Sequence, residues 1–261
     1  MPKLAANLSW LYQELPLLDR FAAAAAAGFK AVEILFPYEA PAETVAGLLR
    51  KHGLEQALFN LPPGDWSKGE RGFAAVPGRE ATFGAAFAEA LAYAKIVKCP
   101  KLHVMAGMVP DGVPRQAMTD TFVKNLKGVA PQAAAAGVML VIEPLNDRDV
   151  PGYYLSTTTQ AAEVCAAVGA PNVKIQFDVY HAQIMEGDVT RRIERLAPQI
   201  GHVQIAGNPD RNEPDVGEID YHHVLATLDR VGYDGWIGLE YKPKGATNAG
   251  LGWARRYGIV A

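Results

Sequence analysis

Eight short β-rich runs, each followed by a longer Ala- and Leu-rich segment, predict an α/β fold: one (β/α)8 TIM barrel, a single domain spanning residues 1–261. Three observations carry that expectation. The strand count is eight, the strands are near-continuous apolar runs of the kind a sheet covered by helices requires, and 261 residues is close to the ~250 typical of such barrels. An open doubly wound sheet is the structural rival. Eight repeats favour closure, and no G-x-G-x-x-G opens the first helix, so dinucleotide binding has no support.

Residues 4–9 (LAANLS) form the predicted first strand, and 17–27 a helix stopped by Gly28. Residues 31–35 are a strand, 42–52 a helix stopped by Gly53, and 54–60 a third strand. A Gly- and Pro-rich loop then fills 61–79, longer than a plain connection and of the length that functional loops have. A helix over 81–97, a strand over 101–105 and a helix over 118–136 complete the first half. The rhythm repeats with a strand at 138–142, a helix at 157–168 capped by Ser156, a strand at 173–177 and a helix at 189–196. Strands at 202–205 and 236–239 flank a helix at 221–231, and 248–257 is a short closing helix. The alanine runs 22–27 and 133–136 read as close-packed helix faces.

Composition narrows the function class. The chain is 49% hydrophobic and 20% charged, with a net charge of −3, so it has a core of ordinary size and no basic footprint for nucleic acid or an anionic membrane. A few arginines in a cleft would still accommodate an anionic substrate. Cys99 and Cys165 make no C-x-x-C and no ligand cluster, and are expected to be two reduced intracellular thiols. The N-terminus reads as a strand, not as a signal peptide, and no stretch approaches the ~20 apolar residues of a membrane helix. A cytoplasmic location follows as the expectation.

In such a barrel the site lies at the C-terminal ends of the strands. The fifth strand ends in Glu143 (VIEP), the sixth in Asp178 (IQFD), the seventh in Gln204 (HVQI) and the eighth in Glu240 (GLEY). They follow one another at intervals close to one β/α repeat, so they occupy equivalent places on neighbouring strands. Three carboxylates and an amide at one point repel one another unless a cation sits between them, and oxygen ligands suit one hard divalent ion, Mg2+ first and Mn2+ as the alternative. A lone acid at a strand end is commonly a cap for the next helix, a reading that applies best to Asp178. His202, two residues before Gln204, shares its face of the strand and reads as a hydrogen-bonded interior residue.

The strings ANLSWLY, VEILFPYE, LFNLPPGDW, GERG, GRE, IEPLNDRDVPGYYL, FDVYHAQIMEGD, GHVQIAGNPDRNEPDVGEIDY and GLEYKP run almost from end to end. Together they resemble the hydroxypyruvate isomerase family, within the xylose-isomerase-like barrels, which includes 2-oxotetronate isomerases. The resemblance implies that Glu143, Asp178, Gln204 and Glu240 are the metal ligands and that Glu143 and Glu240 are the catalytic acid/base pair. Related ketose 3-epimerases carry His where this chain has Gln204, which weakens nitrogen-favouring metals here. The chemistry fits: moving a carbonyl between adjoining carbons removes one proton and returns another through an enediolate, which a metal held by both substrate oxygens would stabilise.

A sugar acid needs a partner for its carboxylate. The candidates are Arg211 after the seventh strand, Lys242 just past Glu240, Arg71 in GERG, and His181, three residues past Asp178, which would hydrogen-bond a substrate oxygen. His222 and His223 read as solvated, and Arg191, Arg192, Glu194 and Arg195 as a charged helix face. The expected activity is isomerisation of hydroxypyruvate to tartronate semialdehyde, with a 2-oxotetronate isomerase or a ketose 3-epimerase as same-site alternatives. The expected partners are a small-molecule sugar acid and, at most, further copies of the chain. A nuclease on this barrel would need a histidine-rich multi-zinc cluster and a basic groove, and a catalytically silent barrel would lack an intact acidic quartet.

Overall fold

The computed structural model describes residues 1–260. Eight parallel strands, β1 (Lys3–Asn7), β2 (Ala31–Glu33), β3 (Glu55–Asn60), β4 (Lys101–His103), β5 (Met139–Ile142), β6 (Val173–Asp178), β7 (Ile200–Ile205) and β8 (Trp236–Leu239), pair in chain order. The ring closes where β1 meets β8, with Lys3 opposite Trp236 and Ala6 opposite Leu239. Helices α1 (Leu17–Ala26), α2 (Ala42–His52), α3 (Glu80–Val97), α4 (Arg115–Ala135), α5 (Thr158–Val168), α6 (Val179–Met185), α7 (Val189–Leu196), α8 (Tyr221–Arg230) and α9 (Thr247–Gly250) surround it.

The helices bury one face each against the outer side of the barrel. Phe21 and Ala24 of α1, Val45 and Leu49 of α2, and Phe83, Phe87, Leu91 and Ala94 of α3 repeat at helical spacing and enter one continuous core. The alanine runs are amphipathic: Ala24, Ala27 and Ala133 are buried while Ala22, Ala26 and Ala134 face solvent. Inside the barrel, Ala5, Ala31 and Ala57 form a separate small cluster with Trp236 against it. Small side chains at this level leave room for the polar ones above them.

The structure departs from the expected elements in local ways. The cap of α5 is Thr157, whose hydroxyl accepts the Gln160 N–H, and not Ser156, whose own N–H is given to the Gln160 side chain. Helix α4 begins at Arg115, after Pro114, and carries Pro131 in its interior. The expected closing helix divides into α9 and a 3-10 segment, Leu251–Tyr257. The strand expected over 101–105 ends at His103, and residues 61–79 contain a 3-10 turn at Trp66–Lys68 and a bridge from Gly72 to Ala106. Helix α6 was not expected. It starts directly after β6, where Asp178 Oδ1 accepts the Tyr180 N–H at 2.7 Å.

Candidate active site

Register decides which side chains meet. A shift between Ile175 and Gln176 brings Gln176 opposite His202 and Asp178 opposite Gln204, and Gln204 in turn lies opposite Gly238. Glu143 and Glu240 follow directly on β5 and β8. Glu143, Asp178, Gln204, Glu240 and His181 are all buried.

The acids are close, and their partners differ. Glu143, Asp178 and His181 each bring one ligand atom within 4.8 Å of the others. Glu240 Oε1 accepts from Arg211 Nη2 at 2.7 Å, and Glu240 Oε2 from Gln204 Nε2 at 2.5 Å. Glu143 Oε1 and Asp178 Oδ2 are buried without a hydrogen-bond partner, although Asp178 Oδ1 serves as the cap of α6. Asp178 is therefore both a helix cap and a free carboxylate oxygen turned into the site. Two unpartnered buried carboxylate oxygens are the donor set that a hard divalent cation takes, so the residues fit one.

His181 fits a different role. Its Nδ1 accepts the Asn146 backbone N–H at 3.1 Å, so the neutral ring carries its proton on Nε2. Nε2 lies 3.8 Å from Asp178 Oδ2 and 3.4 Å from Arg211 Nη2. In that tautomer Nε2–H donates a hydrogen bond into the site, the approach of Arg211 Nη2 is a contact of two donors, and the ring would serve as a cation ligand only in the other tautomer. Burial, with Arg211 and His103 adding repulsion, holds the ring well below its ordinary pKa and so keeps it neutral.

Burial also sets the acids. It pushes Glu143 well above the usual carboxylate range, with the Glu240 and Asp178 charges adding to the rise. Asp178 is raised to about 6 by burial against the opposing pull of Arg211, and Glu240 to about 8 by burial, again opposed by Arg211. Held this high, Glu143 and Glu240 keep protons near neutral pH, which a bound cation would displace, whereas Asp178 is largely ionised there.

Gln204 holds the network below. Its Oε1 accepts from Gln176 Nε2 at 2.5 Å, and its Nε2 reaches Glu33 Oε2 at 3.0 Å as well as Glu240. Glu33 is 1% exposed, bonded to His202 Nε2 and to Asn7 Nδ2 at 3.2 Å. A Cβ on Gly238 would lie 2.2 Å from Glu33 Oε2, so only glycine lets that carboxylate cross the barrel. His202 is thus hydrogen-bonded inside the barrel, to a partner the sequence did not suggest. Asn7, Glu33, Asn60 and His103 close the first four strands as the acidic quartet closes the last four, and they are the site residues that the sequence reading missed. The strand-end rule finds only Asn60 of these, because the expected first, second and fourth strands run on to Ser9, Leu35 and Met105, past Asn7, Glu33 and His103.

Of the expected carboxylate partners, only Arg211 and His181 reach the acids. Arg211 packs against the Trp10 and Tyr180 rings, its guanidinium carbon 4.7 and 4.9 Å from their centroids, and contacts Glu240, Asp178 at 3.8 Å and Asp149 at 3.4 Å. Lys242 is exposed. Its backbone N–H donates to the Arg211 carbonyl at 2.7 Å, so it fixes the arginine's loop. Arg71 stacks on Trp66 at 3.5 Å and donates to the Trp66 and Glu70 carbonyls, away from the quartet's contacts. His222 and His223 are exposed.

The family model described as xylose isomerase-like TIM barrel matches residues 21–257. A 2-oxo-tetronate isomerase of Cupriavidus necator is 52% identical over 98% of this chain and 99% of its own, and the hydroxypyruvate isomerase of Escherichia coli is 42% identical over 98% and 100%. A Brucella melitensis crystal structure described as AP endonuclease, family 2, superposes with a TM-score of 0.97 at 47% identity, covering 98% of this chain and 99% of that one. Among the described residues the metal-capable group is Glu143, Asp178 and His181, and no helix is long and apolar enough to cross a membrane. With matched coverage from end to end, the chain belongs to the xylose isomerase-like TIM-barrel family and is an isomerase.

Proposed function

We propose that the protein isomerises small hydroxy-oxo acids, moving a carbonyl between adjoining carbons by proton transfer through an enediolate. The observation that carries this reading is a buried pair of carboxyls, Glu143 and Glu240, with a cationic Arg211 and a neutral His181 N–H beside them. A divalent cation, Mg2+ or Mn2+, held by Glu143, Asp178 and Glu240, and by the Gln204 amide oxygen once that side chain turns from Gln176, would supply charge stabilisation to the developing enediolate.

The chain's own residues divide the rest. Glu240 accepts from three donors, Arg211, Gln204 and Asn7, of which Arg211 and Gln204 oppose the rise that burial gives its pKa, and in its ionised form it is suited to take the first proton. Glu143 has a bare Oε1 and is pushed up by burial, so it holds a proton to return to the neighbouring carbon, while the substrate's hydroxyl proton passes to the former carbonyl oxygen and completes the exchange. The roles exchange in the reverse direction. His181 Nε2–H orients a substrate oxygen, and Arg211 takes the carboxylate with a charge-assisted pair worth about 1.5–3 kcal/mol.

Two substrates of this class are supported by relatives. The four-carbon 2-oxo-tetronate stands first because relatives at 52% and 48% identity bear that name, and hydroxypyruvate stands second through the relative at 42%. A panel of three- to six-carbon hydroxy-oxo acids and ketoses, assayed with Mg2+, with Mn2+ and after chelation, tests the reading. Turnover of acids with deuterium incorporated from D2O is expected. Faster turnover of neutral ketoses, with inversion at one carbon, would replace it by ketose 3-epimerisation.

A further inference from the structure

Arg211 stands where the acids need a positive charge. Nη2 is 2.7 Å from Glu240 Oε1, 3.8 Å from Asp178 Oδ2 and 3.4 Å from His181 Nε2. The opposite nitrogen, Nη1, is 3.4 Å from Asp149 Oδ2, and Nε is buried without a partner. The residue sits at φ +57, in the left-handed region that few non-glycine residues adopt. The loop around it is tightly closed: Gly207 N–H donates to the Asn212 carbonyl, Lys242 N–H to the Arg211 carbonyl, and a Cβ on Gly217 would lie 2.0 Å from the Asn208 carbonyl oxygen. These contacts hold the backbone, so any displacement of the guanidinium from Glu240 comes from the arginine's own side-chain torsions.

We infer that Arg211 is the resident counter-cation of the acidic cluster, and that a substrate carboxylate, by drawing the guanidinium off Glu240, makes room for a divalent cation. Carboxylate and cation then bind with positive coupling through one side chain. Two cations cannot share Glu240 Oε1 without repulsion, and Arg211 cannot give both forks of its planar head to a carboxylate while keeping Nη2 on Glu240. A neutral sugar offers nothing that competes for the guanidinium and leaves the cluster closed. Selection for acids would thus arise from opening the site as well as from direct pairing. This rests on the hydroxy-oxo-acid reading given above, but it concerns binding rather than turnover.

The test is Mn2+ affinity by calorimetry, alone, with glycerate, and with glycerol. Glycerate carries the carboxylate but no carbonyl to isomerise, so failure of the isomerase reading in the substrate panel leaves this measurement intact. In the wild type, glycerate is expected to tighten Mn2+ about tenfold, within the ordinary range of coupling between two sites, and glycerol not at all. Arg211→Met should bind Mn2+ about tenfold tighter than the wild type without any ligand, and glycerate should change it little. Arg211→Lys, which keeps charge but loses the fork, should retain wild-type Mn2+ affinity with a weakened response to glycerate. Equal Mn2+ affinity in wild type and Arg211→Met overturns the proposal. So does equal tightening by glycerate in both, which would mean that glycerate acts by touching the metal directly, and so does a wild type that binds no Mn2+. Should Arg211→Met fail to fold, Arg211→Gln, which keeps a polar side chain of similar reach without the charge, carries the same expectations and the same overturning results.

Discussion

The two halves of the barrel end their strands in different chemistry. Strands β5–β8 lead into Glu143, Asp178, Gln204 and Glu240, whereas β1–β4 end in Asn7, Glu33, Asn60 and His103. The second half presents carboxylate oxygens with no partner, and the first half presents a carboxylate whose oxygens are taken: Glu33 is bonded to His202, Asn7 and Gln204. The same position on a strand can thus react or can hold, and the partners of its oxygens separate the two: Glu143 and Asp178 each keep a bare oxygen, while Glu240 has one oxygen on the Arg211 guanidinium and the other on Gln204 and Asn7. A buried acid held wholly by side chains inside the barrel, as Glu33 is, orients its neighbours, whereas one with a free oxygen, or with an oxygen held by the Arg211 guanidinium, is available to substrate or cation.

The largest effect that would break this contrast is expected at the reacting pair. Glu143→Gln and Glu240→Gln should each lower kcat by at least the ~10²-fold usual for acid/base catalysis, with the fold kept. Mn2+ occupancy measured in each variant separates lost proton transfer from lost cation. Variants that keep both the cation and most of kcat would move the chemistry off these residues. Turnover in D2O sharpens the point, since a product free of solvent deuterium would favour hydride shift over proton transfer.

Glu33 should give a smaller loss of a different kind. Glu33→Gln keeps the shape but places an amide against His202, Asn7 and Gln204, three groups that now donate to a carboxylate. One misdirected buried hydrogen bond costs about 1–3 kcal/mol, so kcat should fall about tenfold to a hundredfold while Mn2+ weakens through a disordered Gln204. Steady-state kinetics beside Mn2+ titration reads both. A loss as deep as that of Glu240→Gln, with the cation still bound, would put Glu33 among the reacting groups and erase the contrast between the halves.

Most of the barrel was legible because strand and helix periods are local properties of the chain. The acidic quartet was legible because strand ends at one repeat's spacing must converge once the sheet closes. What stayed hidden depends on register. Nothing in the sequence shows that β6 slips between Ile175 and Gln176, which sets Gln176 against His202 and Asp178 against Gln204. Helix α6 was hidden for another reason: seven residues give too few turns for a periodic signal, and its cap, Asp178, is also a candidate ligand. Arg71, Lys242 and Arg211 look alike as loop cations in sequence, and only the tertiary structure puts Arg211 against the acids while Arg71 stacks on Trp66.

Stability against pH probes the same carboxyls with no substrate present. Asp178 at about 6 and Glu240 at about 8 lie above their ordinary values, so the folded chain binds more protons than the unfolded one between about pH 4 and 8. The cation-free protein should therefore lose stability as pH rises through that window, by about 2–4 °C of Tm per kcal/mol for a chain of this size class. Glu240→Gln should match the wild type near pH 5 and exceed it near pH 8, and Mn2+ should raise the wild type most at pH 8. A Tm gap that does not widen with pH would mean that Glu240 ionises freely and is not held up by burial.

The smallest effect is expected at Lys242, two residues past Glu240 and exposed, with its part in the site played by its backbone. The Lys242 N–H donates to the Arg211 carbonyl and its own carbonyl accepts from Asn212 Nδ2 at 2.8 Å, contacts that any non-proline residue keeps. Lys242→Ala should leave KM for an acid substrate within about twofold, since an exposed charge at that position is screened and adds little pairing energy. Arg211→Ala should raise KM about ten- to a hundredfold for the acid and far less for a neutral sugar of the same length. The ratio of the two effects is the informative quantity. If Lys242→Ala raised KM for the acid as strongly as Arg211→Ala, the carboxylate would bind at the rim beside the exposed lysine. Arg211 would then remain a counter-ion of Glu240 alone, and acid recognition would belong to the loop after β8 instead of the loop after β7.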